Sequence, residues 1–158
     1  MSFLAYDSST IPSLYIQDLY VPALDTTGMT TGTTPFNTSI FVDLKFQRST
    51  ALINMYFKDL KMILFYSTGI TPVAGYKVRA FSMGGERTVH RMAVMKAPDL
   101  LWEEAFRAVS GGSTVELVVE FPKKNEITSW AGDVVLRAHV AVDASGHMVS
   151  EGPVEFSR

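Results

Sequence analysis

Val42, Leu44 and Phe46 alternate with Phe41, Asp43 and Lys45, and a period of two turns successive side chains to opposite faces of a strand. The segment from Ile40 to Phe46 is therefore predicted to be a half-buried strand. The same pattern recurs later: Val115, Leu117, Val119 and Phe121 alternate with Glu116, Val118 and Glu120, and Val134, Leu136, Ala138, Val140 and Val142 alternate with Val135, Arg137, His139 and Ala141. These are the clearest strands in the chain. Leu14 to Val21 is rich in β-formers and bounded by Pro12 and Pro22, which predicts a short strand at a sheet edge. Lys61 to Tyr66 is more continuously apolar. Tyr76 to Ala80 alternates again, and Thr88 to Val94 is expected to pair with it across a turn at Gly84-Gly85. A last short strand is expected between Met148 and Phe156, after Ser145-Gly146 turns the chain back, with Pro153 interrupting its pairing.

One segment follows a different period. Pro98-Asp99 gives a helix start signal, Glu103 and Glu104 suit the positive N-terminal end, and Gly111-Gly112 gives a stop. Trp102, Phe106 and Val109 stand at i, i+4 and i+7, so one helical face carries them toward a sheet. Asp25 to Pro35 is polar and reads as a loop. The pattern predicts a mainly all-β fold: an antiparallel immunoglobulin/fibronectin-III-like sandwich of seven or eight strands with one short helix near residues 98–110. Val42, Leu44, Phe46, Val115, Leu117, Val119, Leu136, Ala138 and Val140 are its expected interior.

Composition narrows the reading. The 158 residues fit one domain spanning 1–158, with 1–12 expected to be flexible. Hydrophobic residues at 47% against charged residues at 19% are too many for intrinsic disorder. Fourteen Lys and Arg against sixteen Asp and Glu leave a net charge of −2 without a basic block, which argues against nucleic acid as a partner. The lack of cysteine removes disulfides, thiolate metal ligands and cysteine nucleophiles together. The N-terminus has no basic stretch ahead of its apolar residues and does not read as a signal peptide. The apolar run Met62–Tyr66 is far shorter than the roughly 20 residues of a spanning helix, so the chain as written is expected to be soluble.

The order of Leu14 to Val21, then Ile40 to Arg48, then Ile53-Asn54-Met55-Tyr56-Phe57-Lys58-Asp59-Leu60 leading into Met62 to Tyr66 resembles the late-embryogenesis-abundant type 2 domain. The nearest subgroup is the non-race-specific disease resistance/hairpin-induced-like family of plants. That family carries an Asn-Pro-Asn-Lys/Arg-Ile-Gly-Ile-Tyr-Tyr-Asp type segment, whose end stands here as Tyr56-Phe57-Lys58-Asp59, while Ser49-Thr50-Ala51 stands near the place of its Asn-Pro-Asn. Gly112 to Phe121 and Val134 to Val142 resemble its last long strands. The resemblance implies a non-enzymatic binding domain of a defence- or stress-response protein, facing outward from the plasma membrane behind an upstream anchor helix absent from this chain. It equally admits a soluble intracellular protein that protects against dehydration.

Residues with chemical potential are few. His90, His139 and His147 fall on separate strands or turns without a ligand at helical or hairpin spacing, and read as exposed strand histidines. Glu103 and Glu104, adjacent on a helix, point apart, and Glu116 and Glu120 follow the polar face of a strand. No nucleophile elbow, phosphate loop or zinc-protease motif is present. Gly84-Gly85 and Gly111-Gly112 suit a turn and a helix cap. No catalytic residue, metal ligand or cofactor is therefore assigned. Asn37-Thr38-Ser39 is an N-glycosylation sequon, which makes Asn37 a candidate acceptor on an outward-facing protein. Lys123-Lys124 reads as a solvated loop. Phe41, Phe81 and Val118 fall on outward strand positions. Phe41, Phe81 and, if the helix displays it, Trp102 are the candidate contact residues for a protein or cell-surface partner.

Overall fold

The computed structural model describes residues 13–27, 38–48, 55–67, 69, 72–85, 87–98, 100–122 and 135–157. Asn37, most of the polar loop after Asp25, and Lys123-Lys124 lie outside them. The strands, in chain order, are β1 (Ser13–Asp25), β2 (Ser39–Gln47), β3 (Met55–Phe57), β4 (Leu60–Tyr66), β5 (Pro72–Val78), β6 (Phe81–Met83), β7 (Thr88–Lys96), β8 (Val115–Phe121), β9 (Leu136–Val142), β10 (Ser145–His147) and β11 (Val154–Glu155); one helix, α1 (Trp102–Ser110), precedes β8. Among the described residues seven strands are seven residues or longer, and the other four are fragments of two or three. The expected seven or eight strands correspond to the long ones.

All pairings are antiparallel. A five-stranded sheet runs β10-β1-β2-β7 with β11 also on β1; a four-stranded sheet runs β5-β4-β8-β9; β3 and β6 form a separate ribbon. The fold is an all-β sandwich. Its core joins the inward residues of both sheets, Ile16, Leu19, Val42, Leu44 and Phe46 from one and Met62, Leu64, Leu117, Val119 and Val140 from the other. Of the expected interior, only Leu136 is half-buried, packed at the margin of that core.

Three expectations are corrected. β1 is not a short edge strand: it runs thirteen residues, through Pro22, with partners on both sides. Pro22 is tolerated because it lies past the last β2 pairing, Tyr20 with Phe41, and inside the irregular stretch against β10, where a missing N–H breaks no ladder bond. Thr88 to Val94 does not pair with the Tyr76 strand: β7 pairs with β2, and β5 with β4. Gly84 and Gly85 instead lie between β6 and β7, where the buried Arg48 donates to the Met83 and Gly84 carbonyls at 3.0 and 3.1 Å. Within Met148 to Phe156 only the two-residue β11 forms as a strand, while Ser145-Gly146 does turn the chain back, the Gly146 N–H donating to the Asp143 carbonyl at 3.0 Å, and also lies in β10.

The helix begins at Trp102 rather than at Pro98 and has no side-chain N-cap; its chain leaves through Gly111 and Gly112, the latter at φ +93°, a conformation glycine adopts without strain. Trp102, Ala105 and Val109 are buried and Phe106 half-buried. The helix touches β1 of one sheet and β8 of the other, so it closes an end of the sandwich. Trp102 is 7% exposed, and its indole N–H donates to the Ala97 carbonyl at 2.7 Å.

Candidate interaction surface

With Val42, Leu44 and Phe46 inward, β2 turns Phe41, Asp43 and Lys45 to the outer face of the five-stranded sheet. Register then brings neighbours beside each. Tyr20 of β1 and Val94 of β7 flank Phe41, Asp18 and Met92 flank Asp43, and Tyr15 and His90 flank Lys45. His147 of β10 extends the first row beyond Tyr20. Its imidazole stacks on the Tyr20 ring at 4.4 Å and 25°, and Tyr20 lies 6.4 Å from the Phe41 ring at 29°. Met92 and Val94, at 57% and 43% exposure, continue the apolar row to the sheet edge. Lys45 Nζ lies 4.8 Å above the Tyr15 ring, within cation–π range.

The middle row is electrostatically unusual. Asp18 and Asp43 stand directly opposite, and like charges at such a position oppose strand pairing. Each has an imidazole beside it: His147 Nδ1 is 3.2 Å from Asp18 Oδ2, and His90 Nδ1 is 3.5 Å from Asp43 Oδ1. Asp18 reaches this face through a bulge. The register steps from Ile16 opposite Leu44 to Asp18 opposite Asp43, leaving Gln17 as the extra residue. Strict alternation from Leu14 would have turned Asp18 into the core; the bulge re-aims it outward and lets Leu19 follow Ile16 inside.

Beside this row short polar bonds fix the end of β1 and the turn into β10, each within its own segment, and the Thr26 N–H and hydroxyl donate across to the Ala144 carbonyl at 2.7 and 2.8 Å. Tyr20 donates to Asp25 at 2.7 Å, and the Thr27 hydroxyl donates to the same carboxylate at 2.5 Å. The Thr27 hydroxyl, then Tyr20, hold the Asp25 carboxyl below its usual value, and the bond to Asp25 pushes the Tyr20 phenol up. The Ser145 hydroxyl and N–H donate to Asp143 at 2.5 and 2.8 Å and hold its carboxyl down, the hydroxyl most strongly. Gly146 is at φ +80°, and a Cβ there would lie 2.7 Å from the Val21 carbonyl oxygen, so only glycine fits between β10 and β1.

Of the sequence-derived contact residues, Phe41 lies at the centre of this face. Phe81 does not join it: its half-buried ring stacks on Phe57 at 4.6 Å and meets Phe46 at 4.9 Å, under the Arg91 guanidinium at 4.4 Å. Trp102 faces the core. Tyr20, Met92, Val94 and the pairing of His147 with Asp18 were not singled out from sequence, because they meet Phe41 only through register between strands distant in the chain. His90 and His147 are exposed, as read, but each has a carboxylate neighbour that spacing along the chain does not disclose. Among the described residues no three His, Asp or Glu side chains are arranged to hold a metal ion, and no helix is long and apolar enough to cross a membrane. No family model, curated protein or solved structure matches the chain.

Proposed function

We propose that this chain is a non-enzymatic binding domain of a plant defence- or stress-response protein, displayed at the outer side of the plasma membrane, and that the outer face of the five-stranded sheet is its contact surface. The observation that carries the reading is the apolar row Tyr20–Phe41–Val94 with Met92 beside it, set on a sheet that needs no rearrangement to present it. Exposed apolar groups rimmed by charges are the usual composition of a protein contact. The resemblance of Leu14 to Tyr66 to the late-embryogenesis-abundant type 2 domain supplies the plant and membrane context.

The test is binding of the purified domain to plasma-membrane and cell-wall fractions, native against the double variant Met92→Lys/Val94→Lys. Saturable binding lost in the variant is expected. Equal binding by both would remove this face from the reading. If neither form binds and both protect a client enzyme equally during drying, the soluble protective function stands in its place.

A further inference from the structure

The opposite side of the molecule carries a second feature. On the outer face of the four-stranded sheet, Phe65, Val118 and His139 stand side by side on β4, β8 and β9, and Ile63, Glu120 and Arg137 form the next row. Phe65, Val118, Glu120, Arg137 and His139, together with Ser67, line an open depression of about 410 Å³, within the size range of small-molecule sites. Glu120 is a charge on the outward side of a strand, yet only 9% exposed. Its Oε2 accepts from Arg137 Nε at 2.9 Å. The two partners differ in access: the Arg137 side chain is 57% exposed and the Glu120 side chain 12%.

That asymmetry decides what the depression can recognise. A molecule entering it meets the cation, because the anion is already covered and paired. With Nε held by Glu120, the guanidinium still has its two terminal nitrogens to offer, and these form the fork that receives a carboxylate with two parallel bonds. Lys61 and Lys77 stand opposite each other on β4 and β5, further along the same sheet. The Phe65 and Val118 side chains form an apolar floor beside the fork, and His139 offers a further polar edge.

We propose that this depression binds a small monocarboxylate with an apolar body, its carboxylate on Arg137 and its body on Phe65 and Val118, with Glu120 as the positioning residue that holds the guanidinium. The experiment is an amide-resolved NMR titration of the whole chain with three probes sharing one ring and chain: 3-phenylpropionate, 3-phenylpropionamide and 3-phenylpropylamine. 3-Phenylpropionate is expected to shift the Val118, Glu120, Arg137 and His139 amides saturably, in the millimolar range that about eleven non-hydrogen atoms can support. The neutral amide and the amine should bind at least tenfold more weakly. Arg137→Gln should cost at least tenfold in affinity for the carboxylate and leave the amide probe unchanged. Arg137→Lys, which keeps a partner for Glu120, should fall between the two and serves if the Gln variant does not fold. Tighter binding of the amine would make Glu120 the recognition group and overturn the proposal, as would shifts confined to other surfaces or an absence of saturation.

Discussion

The outer faces of the two sheets start from the same alternation and end unlike. On the five-stranded sheet the outward positions of the edge strand β7 remain open, with Met92 and Val94 at 57% and 43% exposure, and those of β2 beside it are half-buried. On the four-stranded sheet the outward positions of the central strand β8, Val118 and Glu120, are both at 9%, although Glu116 two residues earlier is exposed. The pleat decides the direction in which a side chain points; the bulk of its cross-strand neighbours decides whether it meets water. Phe65 and His139 flank Val118, and Ile63 and Arg137 flank Glu120, so "outward" there is not the same as "solvated".

The comparison implies that stability resides in what the sheets and helix enclose and that the open face is nearly free to vary. Trp102→Ala is the largest test. Loss of a packed indole and of its bond to Ala97 should cost about 3–5 kcal/mol, read as a thermal midpoint many degrees lower; an unchanged midpoint would contradict the closing role of α1. Gly146→Ala should follow, at about 1–3 kcal/mol, since it forces a side chain into a left-handed conformation against Val21; chemical denaturation measures it. Next, Glu120→Gln weakens a charge-assisted bond in the sheltered row and should destabilise by about 1 kcal/mol, whereas Asp43→Asn on the open face should be neutral or slightly stabilising because it relieves Asp18. If the two carboxylates respond alike, the two faces do not differ as described.

The smallest effect concerns acid. Asp25 and Asp143 are held below the usual carboxylate range by Thr27 and Ser145. A depressed carboxyl contributes stability that is complete above the unfolded value of about 3.9 and is lost as pH falls below it. The melting midpoint should therefore decline from about pH 4 downward, and Asp143→Asn should flatten that decline without altering the profile above about pH 5. An identical acid limb in the variant would remove Asp143 from the account.

Much of this fold was legible in the order of residues. β2, β8 and the core side of β9 follow from period two, and the helical face of Trp102 and Val109 from the spacing of large apolar groups. What was not legible is nonlocal. Thr88 to Lys96 carries a strand pattern but nothing that selects Ser39–Gln47 over Pro72–Val78 as its partner, because an intervening nine residues of chain and an intervening forty leave the same period. Pro22 was read as a barrier because its missing N–H matters only where a neighbour seeks it, and none does. For the contact surface, Phe41 was visible as an outward aromatic, while Tyr20, Val94 and His147 join it through pairings across three strands. The sequence places Glu120 on the polar face of its strand, and its burial there is not legible for the related reason that Ile63 and Arg137 stand far from it in sequence.

The extra residue at Gln17 has a further consequence. β1 is two half-strands of opposite phase: Leu14 and Ile16 face inward on even numbers, Leu19 and Val21 on odd ones, and Gln17 is the splice between them. The local irregularity at Gln17 is what absorbs this change of phase. Pairing Gln17 in regular register, without the bulge, would send Asp18 and Tyr20 toward the hydrocarbon interior and Leu19 and Val21 into water, whereas deleting Gln17 would put Asp18 directly after Ile16 and keep every later side chain on its present side. One residue thus acts as a clutch between the frame that builds the core and the frame that displays the surface.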